Sequence, residues 1–243
     1  NLNISGFIIY LKYIMIYEKV YEARKGLFYD SSHYNEIIRD SCKGTYADGT
    51  TLFNFIKGAI PAEKREEYKS IIKPIAKSKT KNRGQATGPC VLSKFPPKAV
   101  ALCNRQGVEY TDGKDRYSVH YKEASGKIIG RCQSNIVRSG VVGFFDAVAG
   151  LPCRRVGWSR DNLEKHEKLS ELARDIQNTH RINEKESFDF HKVQADLTPS
   201  YLFTDSIYST MTLNYDFRTA SHTDYGDLEK GLSTLTIFEE CAP

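Results

Sequence analysis

A histidine and an aspartate stand two residues apart near the end of the sequence, as His222 and Asp224. In a β-strand, positions i and i+2 point to the same face, so the two side chains would share one surface. A neutral imidazole and a carboxylate can then occupy neighbouring positions around an octahedral metal ion. Such a pair also arises easily by chance. The alternative is therefore an ordinary polar strand edge.

A metal site of this kind needs a third ligand. Non-haem Fe(II) oxygenases use a second histidine from a later strand, which leaves one face of the metal open. His222 is the last of the six histidines in the sequence. Either an earlier histidine completes the site, with His33, His120 and His191 as candidates, or the sequence stops before the distal strand. We expect the second alternative, a fragment that lacks its C-terminal part.

Two runs with β-type alternation bracket the pair, at residues 208–217 and 232–239. In the first run, Thr210, Thr212 and Asn214 would face one way and the odd-numbered residues the other. A half-polar strand of this type is typical of a barrel wall that lines a site.

Helical periodicity marks two segments upstream. Residues 61–79 repeat apolar residues three and four apart, although Pro74 should kink or end that helix. Asp161 followed by Glu164 predicts a capping-box start for a second helix, which runs through about Ile182. The apolar face of this second helix is predicted to comprise Leu163, Leu169, Leu172 and Ile176.

The second helix carries two histidines, His166 and His180. We expect both to be surface or hydrogen-bonded residues and not metal ligands.

A β-hairpin is predicted before this helix, from residues 117–121 and 128–132 around a turn at 125–127. Helices followed by many strands indicate an α+β protein whose sheet part is a sandwich or a barrel.

Residues 77–88 form a basic stretch that contains no acidic residue, and two of its last five residues are glycines. The composition predicts a flexible loop. Its function is open between a solvated linker and the binding of phosphate or carboxylate groups. The cations that could do so are Lys77, Lys79, Lys81 and Arg83.

The bulk composition sets only broad limits. The chain has 243 residues, 40% of them hydrophobic, and a net charge of +5, which permits a polyanionic partner without requiring one. Its six cysteines are scattered without zinc-ligand spacing, so we expect free thiols and no structural zinc. The apolar start is too short to span a bilayer, and we expect Met15 to open the true protein.

The stretch YSTMTLNYDFRTASHTDYGDLEKGLSTLTIFEE, residues 208–240, resembles the core of the Tet/JBP family. These enzymes are Fe(II) and 2-oxoglutarate dioxygenases that hydroxylate 5-methylcytosine or thymine in DNA. Residues 81–88 (KNRGQATG) and 134–160 also resemble segments that precede the metal motif in phage, viral and algal members. The resemblance covers roughly residues 81–240.

The resemblance implies an α+β fold with a double-stranded β-helix (jelly-roll) dioxygenase core, incomplete at the C-terminus, and a helical N-terminal layer. We accordingly divide the chain into three parts. Residues 1–14 would be an extraneous or disordered lead, residues 15–80 a helical N-terminal region, and residues 81–243 a partial dioxygenase domain.

The resemblance also implies roles for single residues. His222 and Asp224 would be the two proximal iron ligands, and Arg83 would reach the 2-oxoglutarate carboxylate. Thr212 falls at the position of a strand threonine near the target base, and Asp227 where family members contact the base edge. The distal histidine and the C-terminal 2-oxoglutarate arginine of the family have no counterpart in this sequence.

Asp227 bears on the choice of substrate. An ionised carboxylate only accepts hydrogen bonds, so it would pair with the N4 amino group of cytosine and poorly with O4 of thymine. The expected function is therefore hydroxylation of the methyl group of 5-methylcytosine in DNA. A thymine hydroxylase of the same family is the alternative, and Asp227 could instead cap the following turn.

The implied cofactors are Fe(II) and, as co-substrate, 2-oxoglutarate; ascorbate, which an algal relative of the family uses, is the alternative co-substrate. The target base would flip out of the duplex. We expect a monomer that does not bind membranes and acts inside the cell, either in a host cell or in a nucleus. Arg155 is our expected substrate contact among the candidate phosphate contacts, which are Lys77, Lys79, Lys81, Arg154, Arg155 and Arg160. Two rival functions are a dioxygenase of proteins or small metabolites and a catalytically inactive DNA-binding module.

Overall fold

The computed structural model describes residues 27–29, 38–88, 110–112, 119–122, 128–132, 135–145, 153–222 and 231–238. Asp224, Asp227 and His33 lie outside these ranges, and so do residues 1–14. For the strands between residues 110 and 132, only the backbone is described.

The described residues form nine β-strands, four α-helices and two short 3₁₀ helices. The first elements are β1 (Cys42–Thr45), β2 (Thr51–Phe55), α1 (Ala62–Ala76), β3 (Lys79–Thr80) and a 3₁₀ helix at Gly84–Thr87. Next are the strands β4 (Tyr110–Asp112), β5 (Val119–Lys122), β6 (Ile128–Cys132), β7 (Val137–Phe145) and β8 (Arg154–Arg155). The last are α2 (Gly157–Asp161), α3 (Leu163–Asn183), α4 (Lys185–Asp196), a 3₁₀ helix at Pro199–Tyr201 and β9 (Thr210–Asn214).

The long strand β7 organises the sheet that concerns the candidate site. It pairs with β3 at its beginning, with β9 over residues 139–143 and with β8 at its end, always antiparallel. The expected α+β class is therefore confirmed as a mixed structure with antiparallel sheets.

Two smaller antiparallel sheets accompany the central one. Strands β5 and β6 pair as the predicted hairpin, and β4 adds to its outer side. Strands β1 and β2 form a second hairpin within the region predicted to be a helical layer. A tight turn at Gly49, with φ at +86°, joins its strands, which explains why the helical expectation is wrong for this stretch.

The hydrophobic core lies between the central sheet and the helices α1 and α3. Its fully or nearly fully buried members include Tyr68 and Ile75 on α1, Val142 on β7, and Leu169 and Leu172 on α3. A Cβ atom at Gly140 on β7 would lie 2.6 Å from the carbonyl oxygen of Ile75. Only glycine therefore lets the end of α1 approach the sheet this closely.

The helix predictions are confirmed in extent but not in every detail. Helix α1 includes Pro74 and ends two residues later, as expected. Helix α3 begins at Leu163 after the N-cap residue Asn162, and no side chain caps it. The predicted capping box is wrong, because the Asp161 carboxylate instead pairs with Arg160 at 2.8 Å. Leu163 is 54% exposed and does not belong to the buried face.

The second β-type run does not form a strand within its described residues, 231–238. This segment instead lies against α4, where the backbone N–H of Leu232 donates to Ser187 Oγ at 3.1 Å. The strand prediction is wrong here because alternation alone does not supply a neighbouring strand to pair with. Among the helices described, none combines the length and apolar composition needed to cross a lipid bilayer.

Candidate active site

His222 lies after β9, in a segment without regular secondary structure, and not on the strand end that the sequence predicts. Two backbone hydrogen bonds hold this segment. The N–H of Ala220 donates to the carbonyl of Ala86 at 2.8 Å, and the N–H of Ser221 donates to the carbonyl of Leu27 at 3.0 Å. Pairing with distant parts of the chain therefore fixes His222 without strand geometry.

The imidazole of His222 is oriented by its own backbone. Its Nδ1 lies 2.8 Å from the carbonyl oxygen of Ala220. A carbonyl only accepts, so Nδ1 carries the proton, and the lone pair of the neutral ring is on Nε2. Metal-binding histidines commonly have this second contact, which sets the tautomer. The ring of His222 thus fits the role of a metal ligand.

A complete ligand set is not found within the described residues, where no group of three histidine, cysteine, aspartate or glutamate side chains could hold a metal ion. Asp224, the second expected ligand, lies outside those residues. His191, one of the alternatives for the third ligand, is on α4, where its ring centroid lies 5.4 Å from that of His180.

Arg83 is held against the central sheet. Its Nε donates to Ser139 Oγ at 2.7 Å, and its Nη2 donates to the carbonyl of Gly140 at 3.4 Å. Ser139 Oγ in turn donates to Asn214 Oδ1 at 2.6 Å. The basic stretch is thus ordered by β3, by the 3₁₀ helix and by this chain of hydrogen bonds, and the flexible loop predicted from its composition is not observed.

The structure brings Arg83 and His222 to neighbouring segments. The N–H of Ala86 donates to the carbonyl of Arg83 at 3.1 Å, and the carbonyl of Ala86 accepts the bond from Ala220. Ala86 is three residues after Arg83, and His222 is two residues after Ala220. The backbone hydrogen bond between Ala220 and Ala86 therefore joins the segment that carries Arg83 to the segment that carries His222.

Thr212 is exposed on β9, opposite Val141 of β7. It is two residues from Asn214, so both side chains project from the same face of the sheet. Asn214 contacts Ser139, which contacts Arg83. Thr212 and Arg83 therefore lie on one side of the sheet.

Arg155 lies apart from Arg83, His222 and Thr212. On β8 it pairs with Phe144, and its guanidinium carbon lies 5.2 Å from the centroid of that ring. Phe144 is five residues along β7 from Ser139, which corresponds to roughly 16 Å of strand. Arg155 thus lies at the opposite end of β7 from Arg83.

The histidines of α3 are buried, with His166 1% and His180 7% exposed. Both ring nitrogens of His180 have partners, Tyr208 Oη at 3.1 Å and Ser187 Oγ at 3.2 Å. His166 stacks on Phe203 with centroids 5.0 Å apart. Burial lowers the pKa of both imidazoles, and the neighbouring His191 lowers that of His180 further. The expectation that His180 is a hydrogen-bonded residue is confirmed.

The sequence did not assign a role to Ser139, to Asn214 or to the carbonyl of Ala220. The alternation of β9 did place Asn214 on the polar face. Its partner on β7 is 75 residues away in the chain, so only the sheet register reveals the contact.

Comparisons with known proteins complete the description. No protein-family model and no solved structure matches the chain. The chain is 31% identical over 111 residues to the bifunctional helicase and thymine dioxygenase JBP2 of Leishmania braziliensis. It is 30% identical over 105 residues to the thymine dioxygenase JBP1 of Trypanosoma brucei brucei.

Each of these alignments covers 42% of the chain. The chain aligns with only about a tenth of the length of these relatives, 10% for JBP2 and 12% for JBP1. Over this part of its length the chain is therefore similar to these two thymine dioxygenases.

Proposed function

We propose that this chain carries part of the active site of an Fe(II)- and 2-oxoglutarate-dependent dioxygenase that hydroxylates the methyl group of thymine in DNA. The similarity to two thymine dioxygenases supports the reaction. The observation that carries the proposal is the hydrogen bond from His222 Nδ1 to the Ala220 carbonyl, because it prepares Nε2 for a metal.

In this proposal His222 and Asp224 hold the iron through an imidazole nitrogen and a carboxylate oxygen. Neither His180 nor His191 is assigned as the third ligand, since His180 has both ring nitrogens occupied by hydroxyl groups and His191 packs beside it. When bound, Fe(II) together with 2-oxoglutarate and oxygen supplies the oxidising power that hydroxylates an unactivated methyl group.

Arg83 binds a carboxylate of 2-oxoglutarate in this scheme. Its contacts with Ser139 and Gly140 fix the plane of the guanidinium and so the direction from which a carboxylate can approach. Arg83 thereby positions the co-substrate, and the backbone link through Ala86 sets its place relative to His222. Ascorbate is the alternative co-substrate that the assay has to distinguish.

The surrounding sheet is proposed to be part of a double-stranded β-helix, with Thr212 near a base flipped out of the duplex. Helix α1, in the predicted N-terminal region 15–80, packs into the same core as β7. We propose that this region forms a layer on the dioxygenase sheet. Arg155 then contacts DNA away from the target base, at the far end of β7.

A second candidate substrate is 5-methylcytosine. The observation that favours it is Asp227, whose carboxylate accepts hydrogen bonds and suits the N4 amino group of cytosine. The names of the relatives favour thymine.

The test is turnover on two duplexes that differ only in carrying thymine or 5-methylcytosine at one position. The chain is incubated with Fe(II), oxygen and either 2-oxoglutarate or ascorbate, with imidazole added to fill an open ligand position. Mass spectrometry of the nucleosides should detect 5-hydroxymethyluracil, or 5-hydroxymethylcytosine for the second candidate. His222→Ala should abolish the product, and His180→Gln is the matched control.

Product formation that is unchanged in His222→Ala would contradict the proposed metal site. Absence of both iron binding and product, with DNA binding retained, would favour the catalytically inactive DNA-binding module. Turnover of peptides or amino acids in place of methylpyrimidines would favour the other rival function.

A further inference from the structure

A cavity of about 600 Å³ opens beside the segment that carries His222. Its wall includes residues from 216–218 of this segment and Thr87, next to the Ala86 carbonyl that binds Ala220. Three cations and one carboxylate line it, together with aromatic and aliphatic side chains. The charged residues are Lys79, Arg138, Arg218 and Asp216.

Two of these cations are neighbours across the sheet. Lys79 of β3 stands directly opposite Arg138 of β7, and both are exposed. Within the described part of the chain, neither forms an ion pair with a carboxylate. Like charges directly opposite each other destabilise a sheet, so a bound anion would offset the repulsion.

The positive charge continues from the cavity along the sheet edge to Tyr215. Lys77 Nζ lies 5.0 Å from the centroid of this ring, Lys73 Nζ 5.7 Å and the guanidinium carbon of Arg138 5.8 Å. The ring face attracts cations and holds the three together. We call Lys73, Lys77, Lys79 and Arg138 the basic edge.

Arg218 lines the cavity with an incompletely satisfied guanidinium. Its guanidinium carbon lies 4.7 Å from the centroid of the Phe28 ring, and its Nη2 donates to the carbonyl of Tyr29. Its Nε is buried and has no hydrogen-bond partner among the described residues.

We propose that the cavity and the basic edge bind the DNA strand that carries the target nucleotide, where this strand is unpaired beside the flipped base. A base would occupy the cavity against Phe28 and Phe217, with its phosphates along the basic edge. Aromatic stacking surfaces beside cations are what a single strand requires. The inference rests on the proposed function, because it takes DNA as the substrate.

The position relative to the metal ligand supports this assignment. Arg218 is four residues before His222, and hydrogen bonds at Ala220 and Ser221 fix the segment between them. A DNA strand bound in the cavity therefore lies beside His222, the proposed metal ligand. The function of this surface would be to hold the strand while the target base is presented to the metal.

The first test measures binding of a fluorescent single-stranded oligonucleotide to the metal-free chain at several salt concentrations. The variant carries Lys79→Gln and Arg138→Gln together. We expect affinity to fall about tenfold and the salt slope to decrease by about 0.7 for each lost phosphate contact. Lys185→Gln with Lys192→Gln, on exposed α4, removes the same charge elsewhere and should have little effect.

A second variant separates binding from folding. Asp216 is the one carboxylate of the described cavity wall, and its φ of +46° is a conformation that asparagine also adopts. Asp216→Asn should therefore leave the fold intact and tighten DNA binding about threefold or more. A damaged fold would not produce tighter binding.

The inference is overturned if the Lys79 and Arg138 double variant binds like its control, or if Asp216→Asn does not tighten binding. It is also overturned if 2-oxoglutarate displaces the oligonucleotide, because the cavity would then be the co-substrate pocket. If the basic-edge variants oxidise DNA as well as the unsubstituted chain does, this inference alone is rejected. DNA binding through the basic edge without any oxidation would reject the proposed function alone.

Discussion

His180 and His222 are two histidines with hydrogen-bonded rings and different chemical prospects. His180, in the packed interface of α3 and α4, contacts a hydroxyl group with each ring nitrogen, at 3.1 Å and 3.2 Å. His222, in the segment after β9, directs Nδ1 to a backbone carbonyl at 2.8 Å.

The difference lies in what the partners can do. Two hydroxyl groups can satisfy both the donor and the acceptor of a neutral imidazole, so His180 has no lone pair to offer a metal. A carbonyl only accepts, and it fixes the proton of His222 on Nδ1 and the lone pair on Nε2. The comparison teaches that the atoms around a histidine, more than its burial, decide whether it serves structure or chemistry.

The sharpest test of this comparison is metal affinity. We expect His222→Ala to weaken Fe(II) binding by more than about a hundredfold, because a ligand is lost, whereas His180→Gln changes it little. Titration of Fe(II) without oxygen, in the presence of 2-oxoglutarate, follows the binding by visible absorption. Equal losses in the two variants would show that the comparison is wrong.

The free energy of unfolding should depend more on His180 than on His222. His180→Ala removes a buried ring and leaves the hydroxyls of Tyr208 and Ser187 without this partner, so we expect the free energy of unfolding to fall by about 2 kcal/mol. His222→Ala, in a half-buried segment, should cost less than about 1 kcal/mol. Urea unfolding at pH 7.5 measures both, and a larger loss for His222→Ala would contradict the assignment.

The pH dependence of stability should follow the histidines of α3. Burial lowers the pKa of His166 and His180 in the folded state, so protonation favours the unfolded chain. Their contribution is complete above the unfolded pKa of about 6.5 and is lost as the pH falls below it, by at most about 1.4 kcal/mol per pH unit for each residue.

Urea unfolding between pH 7.5 and 5.5 provides the measurement. The double variant His166→Gln with His180→Gln should show a flatter profile than the unsubstituted chain. A profile of the double variant as steep as that of the unsubstituted chain would contradict the assignment.

The smallest expected effect concerns a single hydroxyl group. Tyr208 Oη contacts His180 Nδ1 at 3.1 Å and Thr234 Oγ1 at 3.0 Å. Tyr208→Phe should lower the free energy of unfolding by about 1 kcal/mol and leave Fe(II) affinity unchanged. A change in metal affinity would indicate that the contacts of His180 between α3 and α4 influence metal binding at His222.

Local patterns in the sequence predicted the elements that depend on neighbouring residues. Helix α1 with its end after Pro74, most of α3, and the β5–β6 hairpin all follow from periodicity or turn composition. The two faces of β9 were also predicted, with Leu213 buried and Thr212 exposed. These features are encoded within about twenty residues, so short-range reasoning suffices.

The incorrect predictions involve elements that depend on distant partners. Residues 231–238 alternate like a strand, yet they lie against α4. Alternation states which residues could pair but not whether a partner strand is available.

The sequence by itself determined the chemical inventory of the candidate site, with His222 and Asp224 two residues apart and Arg83 in a basic stretch. Only the tertiary structure decided which of these residues meet. Arg83 contacts Ser139, 56 residues away, and its segment lies beside that of His222, whereas Arg155 lies at the opposite end of β7. The physical reason is that backbone pairing between β3, β7 and β9 sets these distances, and the register of that pairing depends on the packing of the whole core.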